Sequence, residues 1–243
     1  MCYNIKVLEI NSTQKGRCFI LTRKFSVIYK ILTALVLLTG ITLNLSKTSN
    51  IVSLLSYYTF QSNIICFIAF VTYTVIEIRE KSGKCIKGDM YYFVKGAVVI
   101  MIFITTFCYH IALAPQFDFD MGFKQTTDIY NKIANFFVHT LSPCLVILDY
   151  FLFDEKGNFK KYYPFLWLCF PLNYVLYVYI YASQGGTFYN IGGSQRFAYF
   201  FLDYIEIGVS GVIYWIIGMI LGILLASYML VIIDRILGKR SKS

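Results

Sequence analysis

The sequence predicts an all-α polytopic membrane protein, a bundle of six transmembrane helices with both termini in the cytoplasm. Three observations predict it. Of 243 residues, 58% are hydrophobic and only 14% charged, against roughly 25% charged in an average soluble domain. Six apolar runs are each long enough to cross a bilayer. The lysines and arginines between those runs crowd onto one side. A single soluble globule of this length cannot bury so much apolar surface. A solenoid, a disordered chain and a nucleic-acid-binding module are excluded on the same grounds, so no nucleic acid is expected as partner. The net charge of +9 marks the cytoplasmic edges of the spans rather than a surface for an acidic partner.

A helix needs about 20 mostly apolar residues to cross roughly 30 Å of hydrocarbon. The runs are Phe25–Leu43, Val52–Ile78, Tyr91–Ala114, Ile129–Phe153, Tyr162–Ala182 and Ile207–Ile233. They are too long for barrel strands and lack the alternation of such strands. Residues 1–24 form a cytoplasmic N-terminal segment, 25–236 the six-helix domain and 237–243 a basic tail. The first run is read as a span rather than a cleavable leader, because no small-residue cleavage site follows it.

Orientation follows from the basic residues. Lys6, Lys15, Arg17, Arg23 and Lys24 precede the first run. Arg79, Lys81, Lys84 and Lys87 follow the second, Lys156, Lys160 and Lys161 the fourth, and Arg235, Lys239, Arg240 and Lys242 the sixth. The opposite connections hold only Lys47, Lys124 and Arg196, with Lys132 near a span end. Lys30 and Lys95 lie near inner span ends and are expected to snorkel. Seven cysteines, an odd number with no CxxC spacing, argue against a disulfide framework. The two histidines, His110 and His139, lie on separate spans. No metal and no other cofactor is expected.

Polar groups inside a membrane are costly and mark sites. On the second run Ser56, Thr59, Asn63 and Cys66 share one helix face, and on the fourth Asn135, His139 and Ser142 do so, continuing through Val146 to Asp149. Two such stripes are best satisfied by facing each other or a shared wet cavity. Counted at 1.5 Å per residue from the outer ends, Thr59 lies about 14 Å deep and His139 about 16 Å. A hydroxyl and an imidazole level with each other suit a nucleophile and a general base. Pro143 cannot donate to the carbonyl of residue 139, so a kink is expected beside the histidine. Asp149 lies about 15 Å beyond His139, at the inner headgroup boundary and out of its reach. Asp203, just before the last run, is a candidate orienter of His139, with Asn63 and Asn135 as further polar supports. His110 is read as interfacial. The glycine-paired connection from Ser183 to Glu206, carrying the apolar stretch Phe197–Leu202, reads as a lid or re-entrant cover on the outer side, or as an ordinary interfacial loop.

Thr59-Phe60 on the second run and His139-Thr140 on the fourth resemble the paired markers of the androgen-induced family of membrane proteins. The runs Thr59-Phe60-Gln61-Ser62-Asn63, His139…Pro143…Leu148-Asp149-Tyr150…Leu152-Phe153 and Phe201-Leu202-Asp203 resemble its bacterial branch more closely. Animal members are intramembrane threonine hydrolases that cleave fatty acid esters of hydroxy fatty acids. The resemblance implies Thr59 as nucleophile and His139 as base. Gln61-Ser62-Asn63 is more polar than the animal pattern.

The expected function is a lipid-ester hydrolase. Thr59 attacks an acyl carbonyl, His139 takes the proton, and Ser62 or Asn63 stabilises the oxyanion. Its partners are membrane lipids and an acyl-chain substrate entering from the bilayer. The rival readings are a small-solute transporter or channel whose path the polar stripes line, and a non-catalytic scaffold or lipid sensor. Oligomeric state is not legible.

Overall fold

A computed structural model of the chain describes residues 12–80, 87–113, 126–190 and 193–240. Lys6, Lys81, Lys84, Lys124, Lys242, Cys2, Cys85, Ala114 and Gly192 lie outside the described residues. Among the described residues, six helices are long and apolar enough to cross a membrane, at Arg23–Leu45, Tyr58–Arg79, Asp89–Leu113, Ile129–Phe153, Tyr163–Ser183 and Tyr204–Lys239. That is the architecture of a multi-pass membrane protein.

The elements are α1 (Ser12–Leu45), α2 (Ile51–Leu55), α3 (Tyr58–Arg79), α4 (Asp89–Cys108), α5 (Thr126–Phe136), α6 (Ser142–Phe153), α7 (Tyr163–Trp167), α8 (Cys169–Ser183) and α9 (Tyr204–Arg240). Two π-helical turns, Tyr109–Leu113 and Phe137–Leu141, extend α4 and join α5 to α6. A short antiparallel hairpin pairs β1 (Phe188–Asn190) with β2 (Gly193–Gln195).

Four helices close into a ring: α1 packs on α3, α3 on α4, α4 on α6, and α6 back on α1. Their shared interior is filled by Leu37, Phe70, Val98, Ile102, Val146 and Tyr150, all essentially inaccessible. Helices α8 and α9 stand outside this ring, and α9 is the least buried of the six long helices. Its Ile213, Ile217, Leu221 and Leu225 are exposed, as lipid-facing side chains should be.

The second run is not one helix. Asn50 caps α2, its side chain accepting from the Ser53 backbone N–H at 3.0 Å. The chain then breaks, and Tyr57 is extended (φ −80°, ψ 138°) before α3 begins. The sequence predicts one continuous helix here, and the break divides its stripe. Ser56 belongs to the preceding turn, while Thr59, Asn63 and Cys66 remain together on α3. The kink expected at Pro143 takes the form of the π-turn before it. The Ser142 N–H reaches back to the Phe137 carbonyl, a five-residue step that absorbs the register the proline cannot keep.

The expectation that Lys30 and Lys95 snorkel fails. Both are fully buried. Lys30 lies 3.1 Å from Asp149 and 3.8 Å from Glu77. Lys95 pairs with Asp149 and lies 2.8 Å from Asp154. Glu77 continues to Lys87 at 3.0 Å. Asp149 is therefore the centre of a buried ionic network joining α1, α3, α4 and α6. The Tyr91 hydroxyl donates to Asp154 at 2.5 Å. Nearby, Asp234 of α9 accepts from the Tyr150 hydroxyl at 2.6 Å and from the Gly157 and Phe159 N–H groups at 2.9 Å each. That carboxylate folds the turn after α6, where Gly157 has φ +85°, a region only glycine enters freely.

Candidate active site

The break at Ser56–Tyr57 places Thr59 in the first turn of α3, inside the protein. The first N–H groups of a helix have no partner within it. Here the Tyr174 hydroxyl of α8 closes the break from the other side, donating to the Ser56 carbonyl at 3.2 Å. Thr59 is half-buried and faces a narrow cavity of about 50 Å³. The wall of that cavity comes from the core on one side, with Thr59, Ile104 and Thr105, and from the outer pair on the other, with Tyr174, Met219 and Ile223. Tyr199, Phe201 and Leu202 close its end. A space of this size holds a few waters and is smaller than the roughly 300 Å³ a lipid-sized ligand needs. Anything larger would have to part α9 from the core.

His139 sits in the π-turn, 9% exposed. Its ring stacks on Tyr109 with centroids 3.8 Å apart and planes 11° from parallel, and it faces the Thr105 backbone. Its Nδ1 is buried without a hydrogen-bond partner among the described residues. The two π-turns are docked on each other, since His110 Nε2 also lies 3.0 Å from the Thr140 hydroxyl. His110 is exposed, but it is tied to this junction.

The two stripes are joined. Asn63 Nδ2 donates to the Thr59 carbonyl at 2.8 Å and to the Val138 carbonyl at 3.2 Å, bridging α3 to the turn that holds His139. The Ser62 hydroxyl lies 3.0 Å from the Thr59 carbonyl and 2.7 Å from the Thr105 hydroxyl. No hydrogen bond joins Thr59 to His139, and the histidine does not line the cavity. Ser62, Asn63 and Thr105 stand as their shared neighbours. Asn135 is half-buried one turn before His139 and takes no part in these bonds. Asp203 is turned elsewhere: its carboxylate accepts from the Ile205 and Glu206 N–H groups at 2.8 and 3.3 Å, capping α9.

Sequence reasoning missed Thr105, Tyr109 and Tyr174. Each looks like packing in an apolar run, and nothing local sets it apart. Tyr199 sits within the apolar stretch read as a lid. That segment does fold onto the bundle, with Phe188, Phe197, Phe201 and Leu202 buried. Burial pushes the Tyr199 phenol up to about 12, with the Thr59 hydroxyl and backbone pulling against it. It therefore keeps its proton throughout the neutral range. No family model, curated protein or solved structure matches the chain.

Proposed function

We propose that this protein is an intramembrane lipid-ester hydrolase with Thr59 as nucleophile and His139 as base, both termini lying in the cytoplasm. The observation that carries the reading is the helix break just before the second spanning helix. Here the break brings the positive end of α3, with Thr59 in its first turn, to an apolar cavity wall. A helix N-terminus favours the negative charge that develops on a threonine oxygen and on a tetrahedral intermediate. The resemblance of the Thr59 and His139 motifs to the androgen-induced family supports the same roles and suggests a fatty acid ester of a hydroxy fatty acid as substrate.

In this mechanism Thr59 Oγ attacks the ester carbonyl and its proton passes to His139. The Ser62–Thr105 hydroxyl pair or a cavity water carries it, because the two residues are not in direct contact. His139 then protonates the leaving alkoxide, the ester C–O bond breaks and an acyl-threonine remains. Water reverses the sequence and releases the fatty acid. Apo geometry is commonly looser than the reacting complex.

The test is turnover of a long-chain ester by detergent-purified protein. Thr59→Ala and His139→Ala should each lose at least about 100-fold in kcat. Equal turnover by Thr59→Ala would remove Thr59 from the mechanism. Counterflow of a small solute in proteoliposomes, with no hydrolysis, would favour a transporter instead.

A further inference from the structure

The proposed reaction needs a hydrogen-bond donor for the oxyanion, and the residues read for that role from sequence are already engaged. Asn63 has two side-chain N–H bonds, and its nitrogen serves two carbonyls, Thr59 and Val138. Ser62 has one hydroxyl proton, held between the Thr59 carbonyl and the Thr105 hydroxyl. Three tyrosines line the cavity. The Tyr58 hydroxyl donates to the Met101 carbonyl at 3.4 Å and that of Tyr174 to the Ser56 carbonyl at 3.2 Å. The third, Tyr199, shares the wall of the same narrow cavity with Thr59, and the Thr59 hydroxyl and backbone act on its phenol.

Tyr199 is not carried by a membrane helix. It belongs to the segment between Gly185 (φ +82°) and Gly208 (φ +73°), two positions where the backbone takes a left-handed turn. That segment is fastened to the outer helices. Phe188 packs edge-on against Tyr57 and Tyr181, each at 5.3 Å. The Tyr179 hydroxyl donates to the Leu202 carbonyl at 2.9 Å. Phe200 and Phe201 lie against Trp215 at 5.5 and 5.7 Å, and Tyr199 stacks on Phe201 at 5.1 Å.

We infer that Tyr199 is the oxyanion donor for Thr59, delivered to the site by a lid that covers the acyl cavity. The inference rests on the hydrolase reading above. When Thr59 Oγ bonds to the ester carbon, the carbonyl π electrons move onto oxygen, and the phenol O–H donates a hydrogen bond to that oxygen without surrendering its proton. The Thr59 N–H, in the first turn of α3 where the helix offers it no partner, becomes the second donor once the substrate carbonyl enters. The chemical step thus requires the lid to be closed, and the donor leaves with the lid when product departs.

The experiment is steady-state hydrolysis of a long-chain ester by the full chain in detergent. Wild type, Thr59→Ala and Tyr199→Phe are compared. The phenylalanine keeps the ring packing, and its melting temperature reports that the fold is intact. Removal of one such donor elsewhere costs about 100- to 1,000-fold in kcat, and Tyr199→Phe should lose about 100-fold with KM little changed. Fluorotyrosines of graded acidity at position 199 should change kcat in order of phenol acidity, which a packing role would not do. If wild type is active, Thr59→Ala is inactive and Tyr199→Phe keeps kcat within about threefold, the hydrolase reading stands and Tyr199 is not the donor. A faster Tyr199→Phe also overturns the assignment, since the phenol would then be an occupant of the site. If wild type does not hydrolyse esters, or Thr59→Ala matches it, both readings fall together.

Discussion

At the scale of single residues, Thr59 owes its character to position rather than to type. Within a continuous span a threonine hydroxyl bonds back to its own helix, as Thr72 and Thr74 do here to the Ile68 and Phe70 carbonyls at 2.8 and 2.7 Å. In the first turn of α3 no carbonyl lies four residues back within the helix, and Thr59 faces the cavity instead. Thr59→Ser should therefore keep activity within about tenfold of wild type, while Thr59→Val, of the same shape without the hydroxyl, should abolish it. Parallel assays of the two variants separate the hydroxyl from the side-chain volume. The polar stripe of Thr59 and Asn63 was legible in the sequence, because a 3.6-residue period places them on one face, whereas the expected pairing with His139 amounts in the structure to the Asn63 bond to the Val138 carbonyl. The break before the stripe was not legible. Ser56-Tyr57-Tyr58 contains no proline or glycine to mark it, and the Tyr174 hydroxyl that closes it on the Ser56 carbonyl lies far along the chain.

At the scale of elements, the ionic network is what fixes the four-helix ring. Lys30, Glu77, Lys95 and Asp149 come one from each of α1, α3, α4 and α6. Such a pair contributes little over an apolar replacement, yet losing one partner strands the other charge in a dry interior. Asp149→Asn leaves Lys30 and Lys95 short of an anion. It should destabilise the protein by about 3–5 kcal/mol, read as a fall in detergent melting temperature, and Lys30→Met with Asp149→Asn should recover part of it. Just after α6, burial works against ionisation of Asp154, but Lys95 and Lys30 outweigh it and hold its carboxyl below the ordinary carboxylate value. Its contribution is then complete above the normal carboxylate range and lost as pH falls through the lowered value. Wild type should lose melting temperature in acid along this course, and Asp154→Asn should start lower at neutral pH and show a shallower decline. None of this could be read from spacing. Lysines near span ends look like snorkelling residues until four helices bring their counter-ions together.

One close approach belongs to the same scale. A Cβ on Gly96 would collide with the Trp167 ring. That ring is fully buried, with its Nε1 donating to the Phe93 carbonyl at 3.0 Å, so it has nowhere to swing. Gly96→Ala should cost about 1–3 kcal/mol and loosen the contact of α7 with α4. A lowered melting temperature with an unchanged nucleophile would show it.

At the scale of the whole molecule, the protein divides by function along its length. The end rich in lysine and arginine is locked by charge. The opposite end holds the π-turns, the broken helix, the cavity and the lid. The sequence reached the six helices because twenty-residue apolar runs follow from bilayer thickness. It singled out the Ser183–Glu206 connection because paired glycines and aromatics stand out between apolar runs. It could not reach the separation of core from outer helices, which depends on which lipid-length helices touch. That separation puts the cavity between the ring and α9, where the proposed reading has an acyl chain enter sideways.

The central claim is that Thr59, at the buried start of α3, is the residue that becomes acylated. The most direct measurement is peptide mass spectrometry after the purified protein reacts with a long-chain fluorophosphonate. The account predicts a single adduct on the peptide carrying Thr59, absent from Thr59→Ala and suppressed in His139→Ala. An adduct on another residue, or labelling undiminished in Thr59→Ala, would contradict it.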